Sequence, residues 1–350
     1  MNFPVTFLLL EAFGRLAVEA IGWRDAVLLI IGNYDFRKRY HSDQQHEGLL
    51  LATRPKTLSA AAVPVIIGFA LALKTVGWRE FQVVPALLCL LFAWLMQIDS
   101  NLINDYFDFV RGNDDRETRL GPKRACAEGW ITLPAMRWAL AITSVSACVV
   151  GLPLIAYGGW NLVGVGALCV VFAFLYTTFF ASKGLGDVLV VVFFGLVPVY
   201  FTWFVIVPAG HQAFNLSALC IAIACGMVID TLLLVNNYRD RDNDKACGKI
   251  TLAVRLGERT TALVYRYMPY GAELWIFQTL ILGEDAPLWK VVAFVALAAV
   301  YLIMHDATAR KMVAIGKGRE LNAVLGMTAR NLFVFGLVTA AQILFVGQIL

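Results

Sequence analysis

The chain has 350 residues, of which 59% are hydrophobic and only 15% are charged, and its mean hydropathy is +0.70. Soluble domains carry about 45–50% apolar and about 25% charged residues. The composition therefore excludes a disordered chain, a disulfide scaffold and a nucleic-acid-binding domain, and it indicates a protein solvated by a lipid bilayer. The formal net charge of +4 is too small to indicate a partner, and no obligatory protein partner is inferred. The seven cysteines lack CxxC spacing, so we expect free thiols rather than disulfides or zinc ligands.

Residues 1–48 precede the regular hydropathy pattern and form an N-terminal extension without an assigned function. Its apolar stretches at 5–10 and 26–32 are too short to cross a membrane, and an interfacial amphipathic helix is one interpretation. No basic residue precedes the first stretch and no small-residue cleavage site follows it, so we do not expect a signal peptide. The remaining residues, 49–350, are expected to form one domain.

Nine apolar runs are long enough to cross a bilayer as helices, which takes about 20 residues each. Helices are favoured over buried strands because each run is long and several connectors are very short. The sequence YGGW at 157–160 predicts a tight helical hairpin. The sequence thus predicts an all-α membrane protein with nine transmembrane helices. The runs lie at 57–75, 82–103, 136–157, 159–180, 186–208, 216–236, 261–283, 288–304 and 329–350.

Lysine and arginine concentrate on one side of this arrangement. Counting each connector together with the first few residues of the run that follows it, six lie after the second run, one after the fourth, seven after the sixth and five after the eighth, which makes nineteen. The opposite side has only Lys74, Arg79 and Lys290. Because positively charged loops stay in the cytoplasm, we expect a multi-pass protein of the inner (cytoplasmic) membrane whose N-terminus and charged connectors are cytoplasmic.

The second and sixth runs each end in an acidic segment on this charged side. The residues of each segment are three or four positions apart, so each set lies on one face of a helix. Two carboxylate faces at one mouth repel each other unless cations lie between them. Carboxylates combined with phosphate oxygens suit Mg²⁺, which makes the four aspartates the predicted metal ligands. The spaced residues are Asn101, Asp105 and Asp108 in the first segment and Asn236, Asp240 and Asp244 in the second.

Basic residues lie next to both acidic segments and at the start of the first run. A bound diphosphate needs such groups to neutralise its charge as it departs, although each of them is equally well explained as a cytoplasmic anchor. Asp99 and Asp230 lie inside their runs, where we expect structural pairing or water contact. The basic residues are Arg54, Lys56, Arg111, Lys123, Arg124, Lys245 and Lys249.

A cation-coupled transporter is the competing class of function, because intramembrane acidic groups also bind transported cations. Against it, the acidic sets lie at the ends of the runs rather than at the bilayer midplane. The hydropathy also lacks an inverted repeat with paired broken helices.

The two acidic segments resemble the aspartate-rich motifs of the UbiA superfamily of intramembrane prenyltransferases. Those motifs are NDYFD at 104–108 and NNYRDRDND at 236–244. Further segments, in order along 49–350, look like the 1,4-dihydroxy-2-naphthoate prenyltransferases of menaquinone synthesis. They are RPKTLSAAAVPVIIG (54–68), SNLINDYFDFVRGND (100–114), GPKRACAEGWIT (121–132), LGDVLVVVFFGLVPV (185–199), NNYRDRDNDKACGKITLAVRLG (236–257) and ELNAVLGMTARN (320–331).

The resemblance implies a nine-helix bundle around a central cavity, capped on the cytoplasmic side by the aspartate loops. It also implies transfer of a polyprenyl group from an all-trans polyprenyl diphosphate to 1,4-dihydroxy-2-naphthoate, which yields demethylmenaquinol, CO₂ and diphosphate. Another acceptor, such as 4-hydroxybenzoate or a chlorin, is the alternative within the superfamily. By the resemblance, the six spaced residues form the Mg²⁺ and diphosphate site, with Asn104, Asn237 and the pair Tyr176 and Lys183 beside it.

Overall fold

The computed structural model describes residues 42–112, 119–281 and 286–346. Contacts divide the chain into a unit of residues 1–47 and a unit of residues 48–350, and the fold is described for the second. The predicted interfacial helix in the first 41 residues lies outside the described ranges. The described residues are almost entirely helical and contain no strand, as the hydropathy runs predict.

Eleven helices are named here in chain order, with short 3₁₀ and π-helical turns included where they continue a helix. They are α1 (Ser42–Thr53), α2 (Leu58–Glu80), α3 (Val83–Val110), α4 (Ala125–Glu128), α5 (Leu133–Gly158), α6 (Asn161–Lys183), α7 (Gly186–Ile206), α8 (Leu216–Ala246), α9 (Leu252–Leu280), α10 (Leu288–Ile315) and α11 (Leu321–Val346).

Eight of these described helices are long and apolar enough to cross a membrane, namely α2, α3, α5, α6, α7, α8, α10 and α11. The predicted seventh run falls in α9, which has 29 residues and a kink at Gly257. This helix is not among the eight. Arg266 and Glu273 lie within its length, and charged residues lower the hydropathy of a helix. The bundle is therefore confirmed as a helical membrane fold in which one predicted run is markedly more polar than the others.

The core of the bundle is formed by α2, α8 and α11, which carry most of the fully buried side chains. The peripheral helix α6 has no buried residue in its apolar stretch. Exposed tryptophans lie near both ends of the spanning helices, as in the aromatic belts of membrane proteins. Trp138 is 71% exposed at one end, and Trp78 and Trp160 are 79% and 80% exposed at the other.

Local sequence signals set the ends of several helices. The Asn215 side chain accepts a hydrogen bond from the Ala218 amide at 2.7 Å and so caps the first turn of α8. The predicted hairpin between α5 and α6 is present. Gly159 has φ 80° there, a left-handed value that glycine adopts without steric cost.

Candidate active site at one end of the bundle

Asn101 in the first acidic segment faces inward and binds the start of α2. Its side chain is 4% exposed. It donates to the Thr53 carbonyl at 2.9 Å and to the Thr57 hydroxyl at 3.0 Å. The amide therefore fixes the position of α3 against the turn that precedes α2.

Asp105 is the most deeply buried carboxylate of this segment, at 1% exposed. Its two oxygens accept the backbone amides of Ala125 and Cys126, each at 2.9 Å. These amides belong to the first turn of α4 and have no partner within the helix. Asp105 therefore holds the connector between α3 and α5 in place, and both of its oxygens are engaged by protein.

Asp108 lies one turn further along α3, at the surface of the end of the bundle that carries the two acidic segments, which is called the mouth below. Its carboxylate contacts the Arg124 guanidinium at 3.3 Å. Arg124, a residue predicted to bind the diphosphate, therefore lies at the acidic segment, and it is only 7% exposed. Asn104 accepts a short hydrogen bond from the Thr177 hydroxyl, which joins the same segment to α6.

The second acidic segment contains a residue that the sequence reasoning missed as a site residue. Arg239 is 4% exposed and donates to both oxygens of Asp240, at 2.8 and 2.6 Å. Its third nitrogen donates to the Asn322 side chain at 2.7 Å. The signal was available in the motif NNYRDRDND, because an arginine next to a functional aspartate is a natural charge partner.

This arginine stands where three connectors meet. Asn322, at the start of α11, donates to the Leu120 carbonyl at 2.9 Å. A Cβ at Gly121 would lie 2.8 Å from the Arg239 guanidinium. Glycine at this position therefore lets the α3–α5 connector approach closely enough to cover the second acidic segment.

Arg241 joins neighbouring helices instead of contributing to the acidic site. It is 8% exposed and donates to the Glu258 carboxylate at 2.5 Å and to the Gly316 carbonyl at 3.0 Å. Tyr238 is also buried and donates to Glu258 at 3.2 Å. These bonds join α8, α9 and the end of α10, so Tyr238 packs in the bundle instead of facing a reacting group.

The two acidic segments meet, as their spacing and topology predict. Asp244 interacts electrostatically with Asp240 on its own helix and with Asp108 on α3. Lys249 and Arg239 are close enough to offset part of this charge. Asn236 and Asn237 are half-buried on the preceding turn of α8. One end of the bundle therefore carries Asp244, which is repelled by the carboxylates of Asp240 and Asp108, with cationic groups around it.

This donor set fits Mg²⁺ held jointly with a phosphate. Within the described residues, no group of three or more His, Cys, Asp or Glu side chains forms a preformed metal cage. Mg²⁺ is usually bound by one or two carboxylates, waters and substrate phosphate oxygens rather than by an all-protein cage. The repulsion of Asp244 by Asp108 and Asp240 is the feature that favours a cation here.

Several predicted basic residues lie away from this cluster. Arg111 donates to the carbonyls of Thr177 and Thr178 at the end of α6. Lys183 lies over the Phe179 ring, 3.5 Å from its centroid.

The other predicted donors are mostly at the surface. Lys123 is exposed and lies 3.9 Å from Glu128, and Lys245 is exposed. Arg54 has φ 51° at the turn before α2, a left-handed conformation that is costly for a residue with a Cβ. The side chain of Lys56 lies outside the described part of the chain.

An apolar cavity of about 330 Å³ lies between α3, α5, α6 and α7. It extends from Gln97, Ser100 and Tyr176 toward Leu152 and Val205 near the other end of the bundle. Tyr176 interacts electrostatically with Asp108, so the tyrosine joins the cavity to the acidic mouth. The site therefore combines an ionic mouth with an apolar chamber that runs along the membrane helices.

An ionic mouth over an apolar intramembrane chamber defines the class of membrane-embedded enzymes whose substrate has a charged head and a hydrocarbon tail. The model of the UbiA prenyltransferase family matches residues 61–317, which is well over half of the chain. The chain belongs to the UbiA prenyltransferase family and is a multi-pass membrane prenyltransferase.

Curated relatives share substantial identity with the chain. It is 42% identical over 221 residues to the 1,4-dihydroxy-2-naphthoate octaprenyltransferase of Escherichia coli strain K12, which covers 60% of this chain and 68% of the relative. It is 34% identical over 306 residues to the protein of the same name from Mycobacterium tuberculosis strain H37Rv, with 85% and 96% of the two chains covered.

Solved structures show the same fold. A UbiA homologue from Aeropyrum pernix K1 superposes with a TM-score of 0.59 at 13% identity, over 81% of this chain and 97% of the other. A UbiA homologue from Archaeoglobus fulgidus, solved bound to DMAPP and Mg²⁺, superposes with a TM-score of 0.55 at 12% identity, over 84% and 99% of the two chains. At these identities the likeness concerns the fold alone.

Proposed function

We propose that the enzyme transfers a polyprenyl group from an all-trans polyprenyl diphosphate to 1,4-dihydroxy-2-naphthoate. The products are demethylmenaquinol, CO₂ and diphosphate, as in menaquinone synthesis. The observation that carries the reaction type is the meeting of Asp108, Asp240 and Asp244 above the apolar cavity. The acceptor is supported by bacterial relatives that are 31–42% identical and are known as 1,4-dihydroxy-2-naphthoate octaprenyltransferases.

The acidic end of the bundle binds the diphosphate, and a Mg²⁺ ion bound there would supply positive charge to offset the charge of the leaving group. Asp108, Asp240 and Asp244 would hold the ion, with Asn236 and Asn237 beside them. Arg124 and Lys249 lie at the carboxylates and bind phosphate oxygens. Asp105 and Asn101 act by positioning, because their polar atoms bind the backbone and side chains of neighbouring segments.

Arg239 holds Asp240 at one orientation until the diphosphate arrives. Its guanidinium is planar and suits two carboxylate oxygens or two phosphate oxygens equally well. Because its third contact fixes it to Asn322, it remains at the mouth whichever partner it binds. The remaining predicted donors, Arg54, Lys56, Asn104, Arg111, Lys123, Lys183 and Lys245, form the outer part of the same proposed diphosphate site.

The apolar cavity holds the prenyl tail and keeps water from the reacting allylic carbon. Departure of diphosphate leaves positive charge on that carbon, which water would otherwise capture. Tyr176 stands at the boundary between cavity and mouth, where a ring face attracts an adjacent cation. The electron-rich acceptor ring then attacks the carbon and forms the new bond.

The proposed enzyme is a protein of the inner (cytoplasmic) membrane, with residues 49–350 as the prenyltransferase domain and residues 1–48 as an extension. Its acidic end and N-terminus face the cytoplasm, where the water-soluble acceptor is available and the released diphosphate can diffuse away. The charge asymmetry of the connectors supports this orientation.

The test is a prenylation assay with purified protein in nanodiscs. Octaprenyl diphosphate and Mg²⁺ are supplied with either 1,4-dihydroxy-2-naphthoate or 4-hydroxybenzoate, and products are identified by mass spectrometry. We expect prenylation of the naphthoate and loss of activity when EDTA removes the metal. Prenylation of hydroxybenzoate alone would show that the acceptor assignment is wrong.

The metal site is tested with Asp108→Asn and Asp240→Asn. Each change removes a charge from the cluster, and we expect kcat to fall about 100- to 1000-fold, the size of effect seen when one stabilising group is removed from an active site. Asp242→Asn is the matched control, because Asp242 is exposed on the same helix end and should retain activity. Full activity of both site variants would refute the metal site.

A further inference from the structure

A second pair of carboxylates lies below the mouth and belongs to neither acidic segment. Asp187 is in the first turn of α7 and is 8% exposed, and Asp230 is in α8 and is 3% exposed. The two interact electrostatically with each other and each also interacts with Tyr176. A polar pair is thus buried at the side of the tyrosine that joins cavity and mouth.

Each of these carboxylates has a buried oxygen that the protein leaves unused. Within the described residues, Oδ1 of Asp187 and Oδ1 of Asp230 have no hydrogen-bond partner. An unpartnered buried polar atom costs about 1–3 kcal/mol, and a buried charge costs more. Two such atoms at one place indicate that a polar ligand completes their bonding.

Asp99 shows that the fold pairs a buried aspartate when its role is structural. It is fully buried in α3, and its oxygens accept the Ser144 hydroxyl at 3.1 and 2.9 Å. This confirms the expectation of structural pairing for Asp99. The sequence predicts the same pairing for Asp230, but its Oδ1 has no hydrogen-bond partner in the part of the chain that the structure describes.

The Asp187–Asp230 pair lies near the position that the acceptor ring must occupy during the reaction. The allylic carbon is bonded to the diphosphate at the mouth and to the tail in the cavity, so it lies at the boundary between them. Tyr176 lines the cavity and interacts with Asp187, Asp230 and Asp108. A ring that attacks the allylic carbon therefore comes within reach of the pair.

We infer that Asp187 and Asp230 bind the hydroxyl and carboxylate groups of the aromatic acceptor and accept its phenolic proton during transfer. This inference rests on the proposed function. The two carboxylates repel each other, and in an apolar bundle this repulsion favours a pair that carries a single proton and a single negative charge. It then presents one donor and one acceptor, which complement a carboxylate and its neighbouring hydroxyl.

The proton movement balances within the overall reaction. The bond to diphosphate breaks with its electron pair on diphosphate, and the carboxylate-bearing carbon then attacks the allylic carbon, so that a ring electron pair forms the new carbon–carbon bond. The adjacent hydroxyl becomes a carbonyl and passes its proton to the carboxylate pair. The resulting β-keto acid loses CO₂, the electron pair left behind restores the aromatic ring, and the pair returns the proton to the oxygen.

Asp187→Asn and Asp230→Asn test the inference, with Asp99→Asn as the matched buried control. In the nanodisc assay we expect kcat with 1,4-dihydroxy-2-naphthoate to fall about 100-fold in each site variant, as for loss of a general base. The KM for octaprenyl diphosphate and the Mg²⁺-dependent binding of farnesyl thiodiphosphate should match the wild-type values. That binding also reports that the variants are folded.

Acceptor analogues distinguish direct contact between the carboxylates and the acceptor's hydroxyl group from a general loss of activity. The wild type should bind 1-hydroxy-2-naphthoate more tightly than 2-naphthoate as an inhibitor, and both site variants should lose this preference while Asp99→Asn keeps it. The inference is overturned if the wild type prenylates the naphthoate and the site variants do so at the same rate. It is also overturned if their defect is in Mg²⁺ or prenyl diphosphate binding. Failure of the wild type on the naphthoate would instead refute the proposed function.

Discussion

At the scale of single residues, aspartates of one motif have different tasks according to where their oxygens point. Asp105 binds two backbone amides of the connector, whereas Asp108 faces Arg124 and the second acidic segment. Helical spacing places both on one face of α3, and it does not distinguish them. The difference arises because the connector folds back over the inner carboxylate.

We therefore expect Asp105→Ala to loosen the connector rather than simply remove a charge. Two buried amides lose their partner, at about 1–3 kcal/mol each, so the amides of Ala125 and Cys126 should exchange hydrogen faster. Hydrogen–deuterium exchange of the α3–α5 connector measures this directly. Asp242→Ala, at an exposed site, is the control, and unchanged protection in Asp105→Ala would show that the bonds do not hold the connector.

At the scale of helices, α7 and α8 approach each other closely through two glycines. A Cβ at Gly195 would lie 2.2 Å from the Gly226 Cα and 2.5 Å from its backbone nitrogen. Small residues let membrane helices pack at this distance. The contact fixes α7 beside α8, and these helices carry Asp187 and Asp230.

Gly195→Ala should therefore destabilise the bundle by about 1–3 kcal/mol, the usual cost of overpacking. Thermal unfolding in detergent gives the change. Gly164→Ala in α6 is the control, because a Cβ there meets nothing within 4 Å, and alanine favours a helix over glycine. Equal melting temperatures for the two variants would contradict the packing argument.

The positions of the helices follow from hydropathy, since a bilayer-length apolar run has few other stable conformations. The lengths are less predictable: α3 continues to Val110 and α8 to Ala246, beyond the apolar runs, because connector contacts stabilise the added turns. The pairing of Arg239 with Asn322 and the proximity of Asp187 to Asp230 join residues far apart in sequence. Such contacts depend on helix packing that periodicity does not encode.

At the scale of the whole molecule, the two ends of the bundle are built differently. At one end the connectors bind each other: Arg239 contacts Asn322, which contacts Leu120, and Arg319 donates to the Arg119 carbonyl at 3.3 Å. At the other end are short turns such as Gly158–Trp160 and Ala209–His211. Charge and connector contacts therefore coincide at the end that carries the acidic site.

This asymmetry predicts the orientation in the membrane, because translocating the cationic end is unfavourable. Cys247 is exposed beside the second acidic segment, and Gly210 lies in an open turn at the opposite end. With the other cysteines replaced by alanine, an impermeant maleimide should label Cys247 only in inverted vesicles. A Gly210→Cys variant that also lacks Cys247 should be labelled only in intact cells, where the reagent reaches the outer side of the membrane. The reverse pattern would place the acidic mouth outside, where it could not draw on cytoplasmic acceptor, and would refute both the orientation and the supply route that depends on it.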